Sequence, residues 1–284
     1  MNRSIVVVVI GSLLGGACHG SHGGGANRDA TTRTLLAAGR DRTPSTKSDD
    51  QEWAAAELQR IAARARAERQ RDPGAGAAAA INRTLFDVLA FSREVDDADI
   101  AFVLLPSVLR RRRGSCVGLG ALYIALGALL DVPVAGVVVP GHFFVRVAEG
   151  GRSRNVELLR RGEEMPDDWY RARYPIAGDG ASAYGRLLTV TEVRGVIEYN
   201  VGQQAKRLNQ LADARRAYQR ATEDFPAFAE AHASLGATLH LLGALDDAAA
   251  AYAAAARAYP LLPGLRDNIN LLDVERRGPS SADH

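Results

Sequence analysis

The 284-residue chain is 47% hydrophobic and 24% charged, with 35 Lys+Arg against 33 Asp+Glu. That mix excludes a disordered or collagen-like chain and is enough for one large core or two modest ones. A formal net charge of +2 lacks the basic excess of a nucleic-acid binder, and two cysteines exclude both a disulfide-dense scaffold and a paired CxxC metal framework. Lys47 and Lys206 are the only lysines, so the basic residues are almost all arginine and no single arginine is informative merely by being present.

The N-terminal segment reads as an export signal over residues 1–17: Arg3, an apolar run from Ile5 to Leu14, then Gly15-Gly16-Ala17. The run is too short to span a bilayer, which takes about 20 residues as a helix. Leu13-Leu14-Gly15-Gly16-Ala17-Cys18 resembles a bacterial lipoprotein processing site, with Gly15 where such sites usually carry Leu. Cys18 is then the lipidated residue, and an ordinary secretory signal is the alternative. His19 follows Cys18 where Asp would signal inner-membrane retention. The mature chain is thus expected in the cell envelope, anchored at the outer membrane and facing the periplasm. Residues 18–50, rich in Gly, Ser, Thr, Arg and Asp, read as a flexible tether.

Ser48 and Gln51 have capping-box spacing before an Ala/Arg-rich helix carrying Trp53, Leu58 and Ile61, which Pro73-Gly74-Ala75-Gly76 breaks. Further helical segments are expected over 81–93 and 98–112. Leu119, Leu122, Tyr123, Leu126, Leu129 and Leu130 then form an apolar stripe on a helix that starts near Cys116 and ends at Asp131-Val132-Pro133. Val134 to Val139, His142 to Val147 and Arg154 to Leu159 read as antiparallel strands separated by Pro140-Gly141 and Gly150-Gly151. Residues 160–190 carry no clear period.

The C-terminal part repeats at an offset of 34 residues. Gly202 and Gly236, Ala214 and Ala248, Tyr218 and Tyr252, and Pro226 and Pro260 all obey it, as do Leu208, Leu211, Asp213, Ala217 and Ala221 with their counterparts. Small residues where helices touch, with Pro closing each unit, resemble the tetratricopeptide repeat. Two full repeats are visible, and a helix over 263–276 is expected to cap them. Tyr218 and Tyr252 are expected to fill the space between units.

Cys116 stands at a predicted helix start after Arg110 to Arg113, a setting that favours a thiolate and offers N–H groups to an oxyanion. His142 opens a strand beside a turn, sharing a face with Phe144 and Arg146, while Glu157 and Asn155 point to one side of the next strand. The order is thiol nucleophile, imidazole base and orienting acid, with Glu157 as third member and Asn155 as its rival. Zinc held by Cys116, His142 and Glu157 is a minor reading, and no Gly-rich phosphate loop appears, so no cofactor is expected. His232 and His240 read as structural, and Trp169 with Tyr170 as groove or core.

Arg112-Arg113-Gly114-Ser115-Cys116-Val117-Gly118-Leu119, Pro140-Gly141-His142-Phe143-Phe144-Val145-Arg146 and Val156-Glu157 resemble the SirB1-type transglutaminase-like family. The resemblance covers roughly 81–270, and that family's members often carry tetratricopeptide repeats. It implies an α+β architecture: a helical N-terminal part, a transglutaminase-like, papain-related core with a small antiparallel sheet over 51–190, and an all-α repeat stack over 191–284. It also implies triad positions at Cys116, His142 and Glu157, although many members of the family lack the cysteine. The resulting expectation is an exported cysteine acyltransferase or amidase/peptidase acting on a protein or peptide. Its repeats would bind a protein or peptide partner and Cys18 would hold it to a membrane, with no nucleic acid involved. A non-catalytic interaction platform on the same fold is the alternative.

Overall fold

Residues 23–39, 48–94, 99–178 and 183–277 are described by the computed structural model, so the segment expected to be an export signal and Cys18 lie outside the described residues. Helix α1 (Gly23–Ala37) corrects the expectation of a tether running through 18–50. Its C-terminal end buries Leu35 and Leu36, Ala38 follows them inside, and the Gly39 amide donates to the buried Glu198 carboxylate at 2.7 Å. The polar composition of this stretch hid a few apolar residues gathered at one end. Whether such a helix forms depends on the surface it docks against.

Helix α2 (Ser48–Arg71) buries Ala54, Leu58, Ile61, Ala62 and Ala65, a stripe at three- and four-residue spacing. A 3-10 turn at Pro73–Ala75 separates it from α3 (Gly76–Asn82), which runs on as a π-helical turn over Arg83–Val88. The helix expected to reach Arg93 stops there, because Ser92–Arg93 (β1) pairs in parallel with Arg113–Gly114 (β2). Between these strands lie a 3-10 turn, Ile100–Phe102, and α4 (Leu105–Arg111), which closes on the left-handed Arg112.

Helix α5 (Cys116–Leu129) is the centre of the fold. The sequence showed an apolar stripe, but every residue of the helix except Ala128 is buried, as expected of a helix surrounded by core on all sides. Strands β3 (Val134–Val139), β4 (His142–Glu149), β5 (Arg152–Glu157) and β6 (Glu163–Glu164) form one antiparallel sheet in that order. Phe143, Val145 and Val147 join the main core with α5, whereas Phe144 faces Tyr170 of α6 (Asp167–Arg173) on the other side.

Five helices complete the chain: α7 (Val190–Arg207), α8 (Leu211–Asp224), α9 (Ala229–Leu241), α10 (Leu245–Ala258) and α11 (Leu265–Arg277). Thr189 and Glu192 form a reciprocal capping box at the start of α7. The 34-residue offset recurs as a repeated contact: a Cβ built on Gly202 would lie 2.5 Å from the Tyr218 ring, and one on Gly236 would lie 2.6 Å from the Tyr252 ring. Each tyrosine thus packs on the helix just before its own, within a helix pair, as well as facing the next unit. Val193, Val196, Ile197 and Val201 of α7 belong to the same core as α5, so the core does not break at residue 190.

Candidate active site

Ser115 caps α5, its hydroxyl accepting from the Gly118 amide at 3.2 Å, and this fixes Cys116 as the first residue of the helix. Gly120, one turn on, lets the helix approach β4: a Cβ there would fall 2.4 Å from the Phe143 ring. That close approach brings the helix start beside the β3–β4 turn, where Gly141 adopts a φ of +70° and His142 pairs with Val139. Cys116 and His142 come together there, lining one cleft.

The β4–β5 ladder ends with Val145 opposite Val156, leaving Glu157 just beyond it and on the His142 face. The His142 ring meets the Glu157 carboxylate at 2.7 Å through Nε2, which leaves Nδ1 for the thiol. Two donors hold that carboxylate in place: the Tyr170 hydroxyl at 3.1 Å on Oε2 and the Leu159 amide at 3.0 Å on Oε1. Tyr174 stacks on His142 with ring centroids 4.6 Å apart. Cys116, His142 and Glu157 are all buried, at 9%, 7% and 1% exposure.

Burial disfavours the imidazolium, yet the hydrogen bonds and charges of Cys116 and Glu157 override it and push the His142 pKa up to about 9. The Tyr170 hydroxyl is pushed well above its usual range, first by burial and then by the neighbouring Glu157 charge. It therefore stays a donor to the carboxylate.

Asn155 is not brought to His142. It pairs with Arg146 across the strands, accepts from that side chain at 2.7 Å, and donates to the Met165 carbonyl and the Asp167 carboxylate. Glu157, a methylene longer and two residues on, takes the place beside the imidazole. Arg110 pairs with Asp50 and lies 4.2 Å over the Trp53 ring, while Arg113 pairs with Glu94 at 2.8 Å. Arg110 therefore ties α4 to α2, and Arg113 ties β2 to the residue after β1. His232 bonds the Pro226 carbonyl and His240 bonds Glu275, both within the helical C-terminal part. No group of three His, Cys, Asp or Glu side chains able to hold a metal ion occurs among the described residues.

A cleft of about 350 Å³ opens in front of the pair. One wall holds Cys116 and His142; the other is built by Tyr199, Asn200 and Gln203 of α7 with Phe228 and Glu230 at the start of α9. This second wall was not foreseen, since its residues lie in the C-terminal helices and carry no motif of their own. Tyr170, expected in a groove or the core, is buried, stacking on Phe144 while it holds Glu157. No helix among the described residues is long and apolar enough to cross a membrane.

Comparison with known proteins gives three findings. A family model described as "Transglutaminase-like superfamily" matches residues 52–222. A UPF0162 protein of Xylella fastidiosa strain 9a5c is 35% identical over 108 residues, which is 32% of this chain and 38% of that protein, and its counterpart in strain Temecula1 matches equally. The chain thus spans less than half the length of the curated relatives it matches. Among solved structures, a crystal structure of menin that reveals the binding site for Mixed Lineage Leukemia (MLL) protein aligns with a TM-score of 0.39 and 11% identity, over 82% of this chain and 64% of that one.

Proposed function

Because the chain belongs to the Transglutaminase-like superfamily, we propose that it is a thiol-dependent acyltransferase or amide hydrolase acting on a protein or peptide. Cys116 is the nucleophile, His142 the base and Glu157 the acid that orients the imidazole. The observation that carries this reading is the 2.7 Å bond between His142 Nε2 and a Glu157 carboxylate that is itself pinned from two sides. It fixes the ring so that the other nitrogen serves the thiol.

The chemistry follows from those positions. His142 already holds the thiol proton as imidazolium when the sulfur forms its bond to the acyl carbon, and the first-turn amides of α5 face the developing oxyanion. Collapse breaks the C–N bond, the leaving amine takes the proton from His142, and a thioester remains on Cys116. Water or a second amine then attacks the thioester while His142 accepts its proton; the C–S bond breaks, the acid or new amide leaves, and the returning proton restores the thiol. The first test is acylation by p-nitrophenyl acetate followed by peptide mass spectrometry. Acetylated Cys116 in the wild type, absent in Cys116→Ala and slowed in His142→Ala, is the expected result. A Cys116 that stays unacylated while nitrophenol release is the same in all three proteins refutes it. The burial of Cys116 and the Tyr174 ring lying over His142 favour a second reading, a non-catalytic platform. That reading predicts this refuting outcome.

Within the superfamily we place the chain in the SirB1-type group, on the order of its Gly-Ser-Cys, Pro-Gly-His-Phe and Val-Glu segments. We read α7–α11 as a tetratricopeptide stack that binds a protein or peptide partner, supported by the matching Gly202–Tyr218 and Gly236–Tyr252 contacts. Export and lipid anchoring at Cys18 complete the proposal. Cys18→Ser should release from membranes a protein that otherwise fractionates with them, and wild type found wholly soluble contradicts the anchor.

A further inference from the structure

Glu230 stands apart from the other interior carboxylates. Glu149, Glu192, Glu198 and Asp224 each have an arginine within ion-pairing distance, and Glu157 has His142. Glu230 lines the cleft that holds Cys116 and His142, and among the described residues no cation pairs with it. Its Oε1 accepts from the Tyr184 hydroxyl, while its Oε2 is screened from solvent and has no hydrogen-bond partner. Such an orphaned acceptor is costly, and more so when charged. Burial holds the Glu230 carboxyl above the usual carboxylate range, with the Tyr184 bond acting in the opposite direction. Both features describe a group that gains most when a cationic donor reaches it. The terminal torsion of a glutamate is broad, so a modest rotation turns the second oxygen into the cleft. Arg207 also lines the cleft, but it is exposed, and solvent screens its charge more than that of a half-buried carboxylate.

We propose that Glu230 is the anionic anchor of the substrate cleft, and that the substrate carries an ammonium or guanidinium group near the acyl group delivered to Cys116. The proposal rests on the acyl-transfer reading above. It makes the helical C-terminal part a wall of the substrate site as well as a docking surface for a separate partner.

The test uses the full chain and two series of iodoacetamides with arms of graded length. One series ends in an ammonium group and the other in a hydroxyl. Labelling of Cys116 is followed on its own peptide by mass spectrometry, which keeps Cys18 out of the readout. At the arm length that spans the cleft, the ammonium reagent should react about tenfold faster than its hydroxyl partner, as a charge-assisted hydrogen bond implies. In Glu230→Gln that ratio should fall close to one, with folding checked by thermal unfolding. The wild-type ratio is informative by itself if the variant is unstable. Equal rates at every arm length in the wild type, or a preference that survives in folded Glu230→Gln, overturn the anchor and leave the acyl-transfer reading standing. Failure of both series to label native Cys116 overturns both.

Discussion

Gly202→Ala measures how tightly the first pair of C-terminal helices is set. A methyl at this position would lie 2.5, 2.6 and 2.9 Å from three atoms of the Tyr218 ring, where ordinary contact begins near 3.4 Å. The ring cannot easily yield: Tyr218 is fully buried, packs against Tyr199, and is held through its hydroxyl to Gln203. α7 and α8 must therefore part by something approaching an ångström, and overpacking of this kind costs about 1–3 kcal/mol. Alanine recovers up to about 1 kcal/mol of helix propensity in α7, so the net loss should be about 1–2 kcal/mol. In a chain of this size that corresponds to a fall in Tm of a few degrees, roughly 2–4 °C per kcal/mol. Urea unfolding should show the same loss with an unchanged slope. Tyr218→Leu empties the space that the methyl needs, so the double variant should be more stable than the two single losses predict. Equal or higher stability of Gly202→Ala, or strict additivity with Tyr218→Leu, would refute the close-packing argument.

Other outcomes follow from the site and the helix stack. The His142 ring should remain imidazolium through neutral pH and titrate near 9 by NMR, and both Glu157→Gln and Cys116→Ala should lower that value, since each removes a group that raises it. A His142 that titrates near its ordinary value in the wild type contradicts the coupling. Asn155→Ala should cost about 1–2 kcal/mol by loosening Arg146 and Asp167, yet leave Cys116 alkylation within about twofold of wild type; a larger kinetic loss would return Asn155 to the triad. Deleting residues from Pro263 onward uncovers Leu239 and Tyr252, which cluster with Leu265 and Leu272. Hydrogen exchange in α9 and α10 should then quicken, and unchanged protection argues against a capping role for α11.

That Cys116, His142 and Glu157 lie together was legible because they occupy positions that sequence pattern resolves: a helix start after a Ser cap, a strand start after Pro-Gly, and the end of the following strand. Glu157 was the expected third member with Asn155 as its rival; both share a face, and the end of the strand ladder shows which one meets the ring. The 34-residue offset was legible for the same reason as the Gly202–Tyr218 contact: a packing solution used twice leaves its residues twice. α1 was hidden because it is held by a few residues at one end, Leu35, Leu36 and the Gly39–Glu198 bond, and not by a periodic face. The second wall of the cleft was hidden as well. Tyr199, Gln203 and Glu230 look like ordinary repeat residues until α7 is seen sharing a core with α5.

The rate at which iodoacetamide alkylates Cys116 in the native protein at mildly acidic pH, set against the urea-unfolded chain and against His142→Ala, tests the coupled thiol and imidazole most directly. An imidazole that holds the thiol's proton makes native Cys116 react faster than the unfolded thiol, and His142→Ala should abolish that advantage. A Cys116 that resists alkylation until the chain is unfolded, in the wild type and in His142→Ala alike, would show a structural cysteine and contradict the account.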